Sequence, residues 1–184
     1  MIDEKQIQDW LVEEGIFRQK IPDDNSNFHF LINYPNNNAL DVICPKGKDD
    51  QIIIGCATEV SQQEQALIHN TKKAVNQEFI WNIRFALNSF MLDFELEHPN
   101  DELKRFIITD FIFEDGLTKD RLISTIKKIF KGKLHCIWLL GKTSFLLAKI
   151  YFPNSFIIGK LSVSLSSLIC SVVMFCSTAF RSSA

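Results

Sequence analysis

FHFLINY at residues 28–34, ALDVIC at 39–44 and QIIIGCA at 51–57 are apolar, β-branched runs that follow one another closely along the chain. Each run has the composition of a β-strand, and the breaks between them, PNNN and PKGKDD, are rich in turn-forming residues. Parallel neighbours would need a crossover of about a dozen residues or more, which these short breaks cannot supply. The stretch therefore predicts an antiparallel meander of three strands.

A short amphipathic helix is predicted before the meander, at residues 3–14. Ile7, Trp10 and Leu11 have the i, i+3, i+4 spacing of one helical face. Gly15 follows at the position where many helices end in a left-handed conformation.

A long helix is predicted after the meander, from about residue 62 to 91. Ser61 and Glu64 have the spacing of a capping box, which marks its beginning. The apolar residues thin out near Asn70, where the helix could break. The second half is strongly aromatic, so we expect it to be the most buried helix.

A β-hairpin and a second long helix complete the predicted elements. DFELEH at residues 93–98 alternates between apolar and polar, and RFIITDFIF at 105–113 is a longer β-branched strand, with Pro-Asn-Asp as the turn between them. Thr118 can cap a helix whose apolar period continues through Gly132 to Trp138. The glycine costs about 1 kcal/mol relative to alanine, and a helix that ends there before a new strand is the alternative. The predicted class is α+β: helix, three-stranded antiparallel meander, long helix, β-hairpin and long C-terminal helix.

This order of elements resembles the fold of type III secretion chaperones, and within it the YbjN-like group of candidate sensory transduction regulators and uncharacterised archaeal proteins of similar length. The resemblance rests on IQDWLVEEG at 7–15, ALDVICPKGKDDQIIIG at 39–55 and FIFEDGLTKDRLISTIKKI at 111–129. It covers about residues 2–142. It implies a domain that binds another protein through its sheet or helices, with no catalytic residue to carry over.

Charge is divided unevenly along the chain. Residues 1–118 hold 21 acidic and 10 basic residues, whereas the last 66 residues hold 10 basic residues and one acid, Asp120. We interpret these basic residues as the solvated side of one helix, with a face toward a phosphate-rich surface as the alternative. The net charge of -2 argues against non-specific nucleic-acid binding, so no nucleic acid is expected as a partner.

Compartment signals favour the cytoplasm for the folded domain. The five cysteines include no C-x-x-C pair, which is typical of a reducing compartment without a zinc ribbon. The first ten residues, MIDEKQIQDW, lack the basic and apolar regions of a signal peptide, so we expect no secretion by that route.

The apolar tail at residues 143–184 departs from the resembling family, which leaves 1–142 as the predicted domain. Between Lys160 and Arg181 lie 20 uncharged residues, enough at about 1.5 Å per residue to cross a hydrocarbon core of about 30 Å. A transmembrane helix at 161–180 would anchor the domain to a membrane. Two other interpretations stay open: additional strands packed on the domain, and a non-native extension such as one from a frameshift.

No constellation of residues predicts a catalytic, metal or cofactor site. LLGKT at 139–143 ends like a phosphate-binding loop, but Cys136 occupies the position of the first glycine and a helix precedes the motif. Asp93, Glu95 and Glu97 could gather a hard cation, although a solvated strand face is the better interpretation. The histidines stand alone, without metal-ligand spacing, at positions 29, 69, 98 and 135.

The residues therefore favour a non-enzymatic domain, chaperone-like or regulatory, that binds a protein partner or a second copy of itself. The candidate binding surfaces are Trp10 and Leu11 on the first helix and the outer side of the long helix near Trp81 and Phe85. Aromatic residues at helical spacing more often belong to the core. The alternative function is a small-molecule- or nucleotide-sensing, or hydrolytic, domain with a site between sheet and helix, which a pocket with a perturbed carboxylate or histidine would favour.

Overall fold

The computed structural model describes residues 2–151, with side chains to residue 142. The helices and strands follow the predicted order, with one additional strand and one additional helix. The helices are α1 (Glu4–Glu13), α2 (Gln62–His69), α3 (Lys73–Ser89) and α4 (Lys119–Tyr151). The strands are β1 (Phe17–Lys20), β2 (Ser26–Asn33), β3 (Ala39–Pro45), β4 (Gln51–Glu59), β5 (Asp93–Glu97) and β6 (Arg105–Phe113). Short 3-10 turns lie at Pro99–Asp101 and Glu114–Gly116.

The strands form one antiparallel sheet in the order β1-β2-β3-β4-β6-β5. The predicted meander is confirmed as β2, β3 and β4, and the predicted hairpin is confirmed as β5 and β6. Strand β1 was not predicted, because FRQK is short, largely exposed and without an alternating pattern. It pairs with β2 at the edge of the sheet.

The predicted helix from residue 62 to 91 is two helices, with the break where the apolar residues thin out. Polar side chains donate hydrogen bonds to the last carbonyls of α2. Asn70 Nδ2 donates to Ala66 O, and Thr71 Oγ1 donates to Leu67 O, both at 2.8 Å. Ala66 O also accepts from the backbone N–H of Asn70 at 3.3 Å, so the side chains add to the capping of the last carbonyls of α2. The capping box of Ser61 at the start of α2 is confirmed.

The expectation that the aromatic second half of this region is the most buried helix is wrong. Trp81 and Phe85 of α3 expose 53% and 66% of their surface. Phe79, Ile80, Ile83 and Leu87 are the buried residues of its inner side. The helix carries apolar residues on two sides, and only the inner one meets the sheet and α4.

The core lies between one face of the sheet and the helices. Even-numbered strand residues, among them Phe30, Val42 and Ile54, share a single apolar cluster with Ile126 and Ile129 of α4. This division follows from the alternation of side chains along a strand. It places all the described helices that contribute to this cluster on the same face of the sheet.

Helix α4 is continuous through Gly132, as predicted. A Cβ atom at Gly132 would lie 2.5 Å from Leu92 Cδ1, so the glycine allows α4 to approach the start of β5 closely. LLGKT at 139–143 lies inside this helix and cannot form a phosphate-binding loop. The predicted domain boundary at residue 142 also falls within α4.

The predicted membrane anchor at residues 161–180 lies outside the described residues. Among residues 2–151, no helix is both long enough and apolar enough to cross a membrane.

Candidate interaction surfaces

An aromatic surface lies on the outer side of α3, formed by Trp81, Arg84 and Phe85. The rings of Trp81 and Phe85 stack with their centres 5.8 Å apart and their planes at 30°. The guanidinium carbon of Arg84 lies 4.8 Å from the centre of the Trp81 ring, within the range of a cation–π contact. This geometry presents a preformed aromatic and cationic surface to solvent.

The side of α3 next to the aromatic surface is held by polar contacts with the β5–β6 connection. Arg84 Nη2 donates to His98 Nε2 at 3.0 Å, and Gln77 Nε2 donates to Asp101 Oδ2 at 3.0 Å. The ammonium of Lys73 lies 3.4 Å from the same carboxylate. These contacts fix the rotation of α3, which keeps Trp81 turned outward.

The two candidate residues on α1 lie elsewhere. Leu11 is fully buried, and Trp10 is partly buried against the core. Helix α1 packs on β1 and β2, whereas α3 packs near β5 at the other edge of the sheet. The structure therefore brings Trp81 and Phe85 together and places Trp10 and Leu11 apart from them, with the Leu11 side chain inside the core.

A second surface, which the sequence patterns did not predict, is the open sheet face. We give this name to the odd-numbered residues of β2 to β6, which lie opposite the helices. Cross-strand pairs such as Ile53 with Phe111 and Glu95 with Ile107 establish that these residues share one face. The period-2 pattern of QIIIGCA and RFIITDFIF is the signal that could have revealed it, since both faces of these strands carry apolar residues.

His29 lies on the open sheet face between two carboxylates and is almost fully buried. Its Nε2 is 2.8 Å from Asp41 Oδ1, and its Nδ1 is 3.3 Å from Asp23 Oδ2. Burial alone would lower the pKa of His29, but the hydrogen bonds and charges of Asp41 and Asp23 outweigh it, so the pKa is raised above its usual value. Only an imidazolium can donate to both carboxylates at once, so this arrangement favours the charged histidine.

The described side chains offer little for nucleophilic or metal chemistry. Burial raises the pKa of the Cys136 thiol to about 12, which keeps it protonated and unreactive. In the part of the chain that the structure describes, no group of three or more His, Cys, Asp or Glu side chains is placed to hold a metal ion. Asp93, Glu95 and Glu97 all point to solvent along β5.

A cavity of about 430 Å³ opens where β6 ends, outside the core. Asp50, Phe113, Glu114 and Asp115 line it. The site that the alternative function requires would instead lie between sheet and helices, where apolar side chains fill the described interior.

Comparison with known proteins places the chain in a family. No curated protein is similar to it at a significant level. The chain is similar to a crystal structure of an uncharacterized protein from Methanothermobacter thermautotrophicus, with 47% sequence identity and a TM-score of 0.75, over 77% of this chain and 98% of that one. This match confirms the resemblance to uncharacterised archaeal proteins.

Two further solved structures match with little sequence identity. YbjN of E. coli is 12% identical over 71% of this chain and 88% of that one, with a TM-score of 0.43. The HopA1–SchA chaperone–effector complex is 15% identical over 77% of this chain and 97% of that one, with a TM-score of 0.39. Both belong to the groups that the sequence resembles, and TM-scores this low say nothing about function. The sequence model of one protein family, described as uncharacterized conserved protein (DUF2299), matches residues 3–140. The chain belongs to this family.

Proposed function

We propose that residues 1–142 form a non-enzymatic protein-binding domain, chaperone-like or regulatory, that binds its partner through the aromatic surface of α3. The observation that carries this proposal is the stacked pair of Trp81 and Phe85, both more than half exposed on a helix that is otherwise anchored. Tryptophan and arginine are the residues most enriched among binding hot spots. The aromatic surface contains both.

The energetics of exposed aromatic rings support this assignment. Water around two adjacent rings is released when a partner covers them, at about 25 cal/mol for each Å² of apolar surface buried. The contacts of Arg84 with His98 and Trp81 already order its side chain, so less conformational entropy is lost on binding. The occupant is a partner protein or a second copy of this chain.

Site-specific photo-crosslinking in the full chain tests the proposal. A benzoylphenylalanine introduced at Phe85 should give a discrete adduct in cells, and Trp81→Ala in the same chain should abolish it. A matched control carries the crosslinker at Val12, which is exposed on α1. An adduct near twice 21.2 kDa would identify a second copy as the occupant. The absence of an adduct from position 85, or the same adducts from position 12, would contradict the proposal.

Tethering to a membrane through residues 161–180 is a separate part of the proposed function, and it leaves the domain in the cytoplasm. The supporting observation is the length of the uncharged stretch in the sequence. The full chain should resist carbonate extraction from membranes. Val172→Arg, near the centre of the stretch, should release it because a central arginine costs about 2.5–3.5 kcal/mol on insertion. Ser183→Arg, beyond the stretch, should leave it in the pellet, and extraction of the wild type would refute the anchor.

A further inference from the structure

The open sheet face has no second layer in residues 2–151. The helices that build the core share their apolar cluster with the even-numbered strand residues, and the odd-numbered residues face away from them. Phe111 and Phe113 of β6 are exposed by 41% and 48% on this face. Leu31, Ile43 and Ala57 of the same face are buried, so the part available to another molecule is the end formed by β6 and β5.

The apolar part of the open sheet face lies toward one end of β4 and β6. Phe111 pairs with Ile53 across the strands, and the rings of Phe111 and Phe113 meet edge to face with their centres 5.3 Å apart. Ile43 of β3 pairs with Ile53 on the other side and is buried, so the exposed apolar surface ends at Ile53. Together these side chains could bury one apolar side of a bound segment.

The charged part of the open sheet face is strongly acidic. Asp93, Glu95 and Glu97 follow one another along β5 and all are exposed. The charged residues of β2 to β6 on this face, apart from His29, are Asp41, Glu59, Asp93, Glu95, Glu97 and Arg105. The one guanidinium lies in register between Glu59 and Glu97, so its charge is offset locally.

This charge decides which occupant fits. A second copy placed face to face with β5 over β5 would set acidic stripes against each other, and like charges across an interface cost several kcal/mol. Nucleic acid and anionic lipid would be repelled in the same way. We propose that the open sheet face binds a cationic amphipathic segment of another protein, with its apolar side on Phe111 and Phe113 and its basic side along β5. This surface is independent of the aromatic surface of α3.

Two synthetic peptides of equal length test the assignment, one alternating lysine with leucine and one alternating glutamate with leucine. Each peptide is titrated into the full chain in a calorimeter. Only the lysine peptide should bind. Glu95→Lys and Phe111→Ser should each weaken that binding at least about tenfold. Both residues are exposed, so the variants should keep the wild-type circular dichroism spectrum, and Glu95→Gln provides a milder second variant.

Matched controls distinguish binding at this face from non-specific binding of the peptide elsewhere on the protein. Glu78→Lys changes an exposed acid on α3, and Val12→Ser removes an exposed apolar side chain from α1, so both should bind the lysine peptide as the wild type does. Equal binding of both peptides, or equal weakening by Glu78→Lys and Glu95→Lys, would overturn the proposal. Self-association of the wild type that Phe111→Ser abolishes would also overturn it, because the face would then join two copies.

Discussion

Lys133 of α4 has its side chain buried in the core, and its replacement by an apolar residue should stabilise the protein. Its side chain is 0% exposed, and its Nζ has no hydrogen-bond partner among the described residues. In the unfolded chain the same ammonium is hydrated. Removing an ammonium from water costs several kcal/mol, which an ion pair or hydrogen bonds would normally offset. Burial of Lys133 therefore lowers the free energy of unfolding, because no described hydrogen bond offsets the lost hydration.

Lys133→Met keeps the length and most of the volume of the side chain and removes the charge. Replacements of buried ionic groups by apolar residues stabilise proteins by about 1–4 kcal/mol, and we expect about 2 kcal/mol here. For a chain of this size the melting temperature should rise by roughly 4–8 °C. The buried methylene groups of the lysine pack against the core as they would in methionine, so little packing is lost.

Urea unfolding of the full chain, followed by circular dichroism, measures the effect. The midpoint should rise while the slope m stays constant, which identifies a change in stability rather than in the surface exposed. Lys131→Met is the matched control, because Lys131 is exposed on the same helix and should change stability by no more than about 0.5 kcal/mol. A loss of 1 kcal/mol or more in Lys133→Met would refute the reasoning, since it would mean that the ammonium contributes a favourable interaction.

Three further predictions rest on the same structure. Gly141→Ala, whose Cβ would have nothing described within 4 Å, should raise the free energy of unfolding by roughly 1 kcal/mol through helix propensity. Gly132→Ala should not gain this, because its Cβ would lie 2.5 Å from Leu92 Cδ1. Equal melting temperatures for the two variants would contradict this prediction. Ser61→Ala should lower the free energy of unfolding by about 1 kcal/mol by removing the cap of α2, and a change below about 0.3 kcal/mol in urea unfolding would count against the cap. The pKa of His29 is raised by folding, so its contribution to stability should be complete below about pH 6.5 and be lost as the pH rises through the folded-state value. Unfolding measured between pH 5 and 9 should show this loss in the wild type and not in His29→Gln, and parallel profiles would disprove it.

Local patterns predicted the elements whose signals are contained in a few neighbouring residues. The capping box of Ser61, the alternating strand at Asp93–Glu97 and the apolar period through Gly132 are all confirmed. Strand β1 was not predicted because its four residues form a strand by pairing with β2. The composition of these four residues does not indicate that pairing. An edge strand of this kind depends on tertiary context more than on propensity.

The rotation of α3 could not be predicted from its sequence. Ile83 and Phe85 lie about 160° apart around a helix with 3.6 residues per turn, so the helix has two apolar sides. Its own sequence does not indicate which of the two is buried in the core. The choice between them depends on what packs beside the helix, and here the polar contacts of Arg84 and Lys73 with the β5–β6 connection select the side of Ile83. Strand β4 presents the same difficulty, because QIIIGCA is apolar on both faces and reads as a strand buried on both sides.

The uneven charge of the sequence becomes a difference between two sides of the folded domain. The buried residues of α4, such as Ile126 and Ile129, face the sheet, so the exposed Lys127 and Lys131 point away from it, and the acids of β5 lie on the opposite side. Lys127 and Lys131 are thus on the solvated side of α4, whereas Lys133 is buried and Lys128 pairs with Asp110 at 2.8 Å. The separation of the exposed lysines from the acidic strands is what gives the open sheet face its selectivity. In a tethered chain, anionic headgroups would attract the basic side and repel the acidic one, which would leave the open sheet face turned toward the cytoplasm. The two proposals are therefore compatible, because a membrane and a cationic segment would engage opposite sides of the same domain.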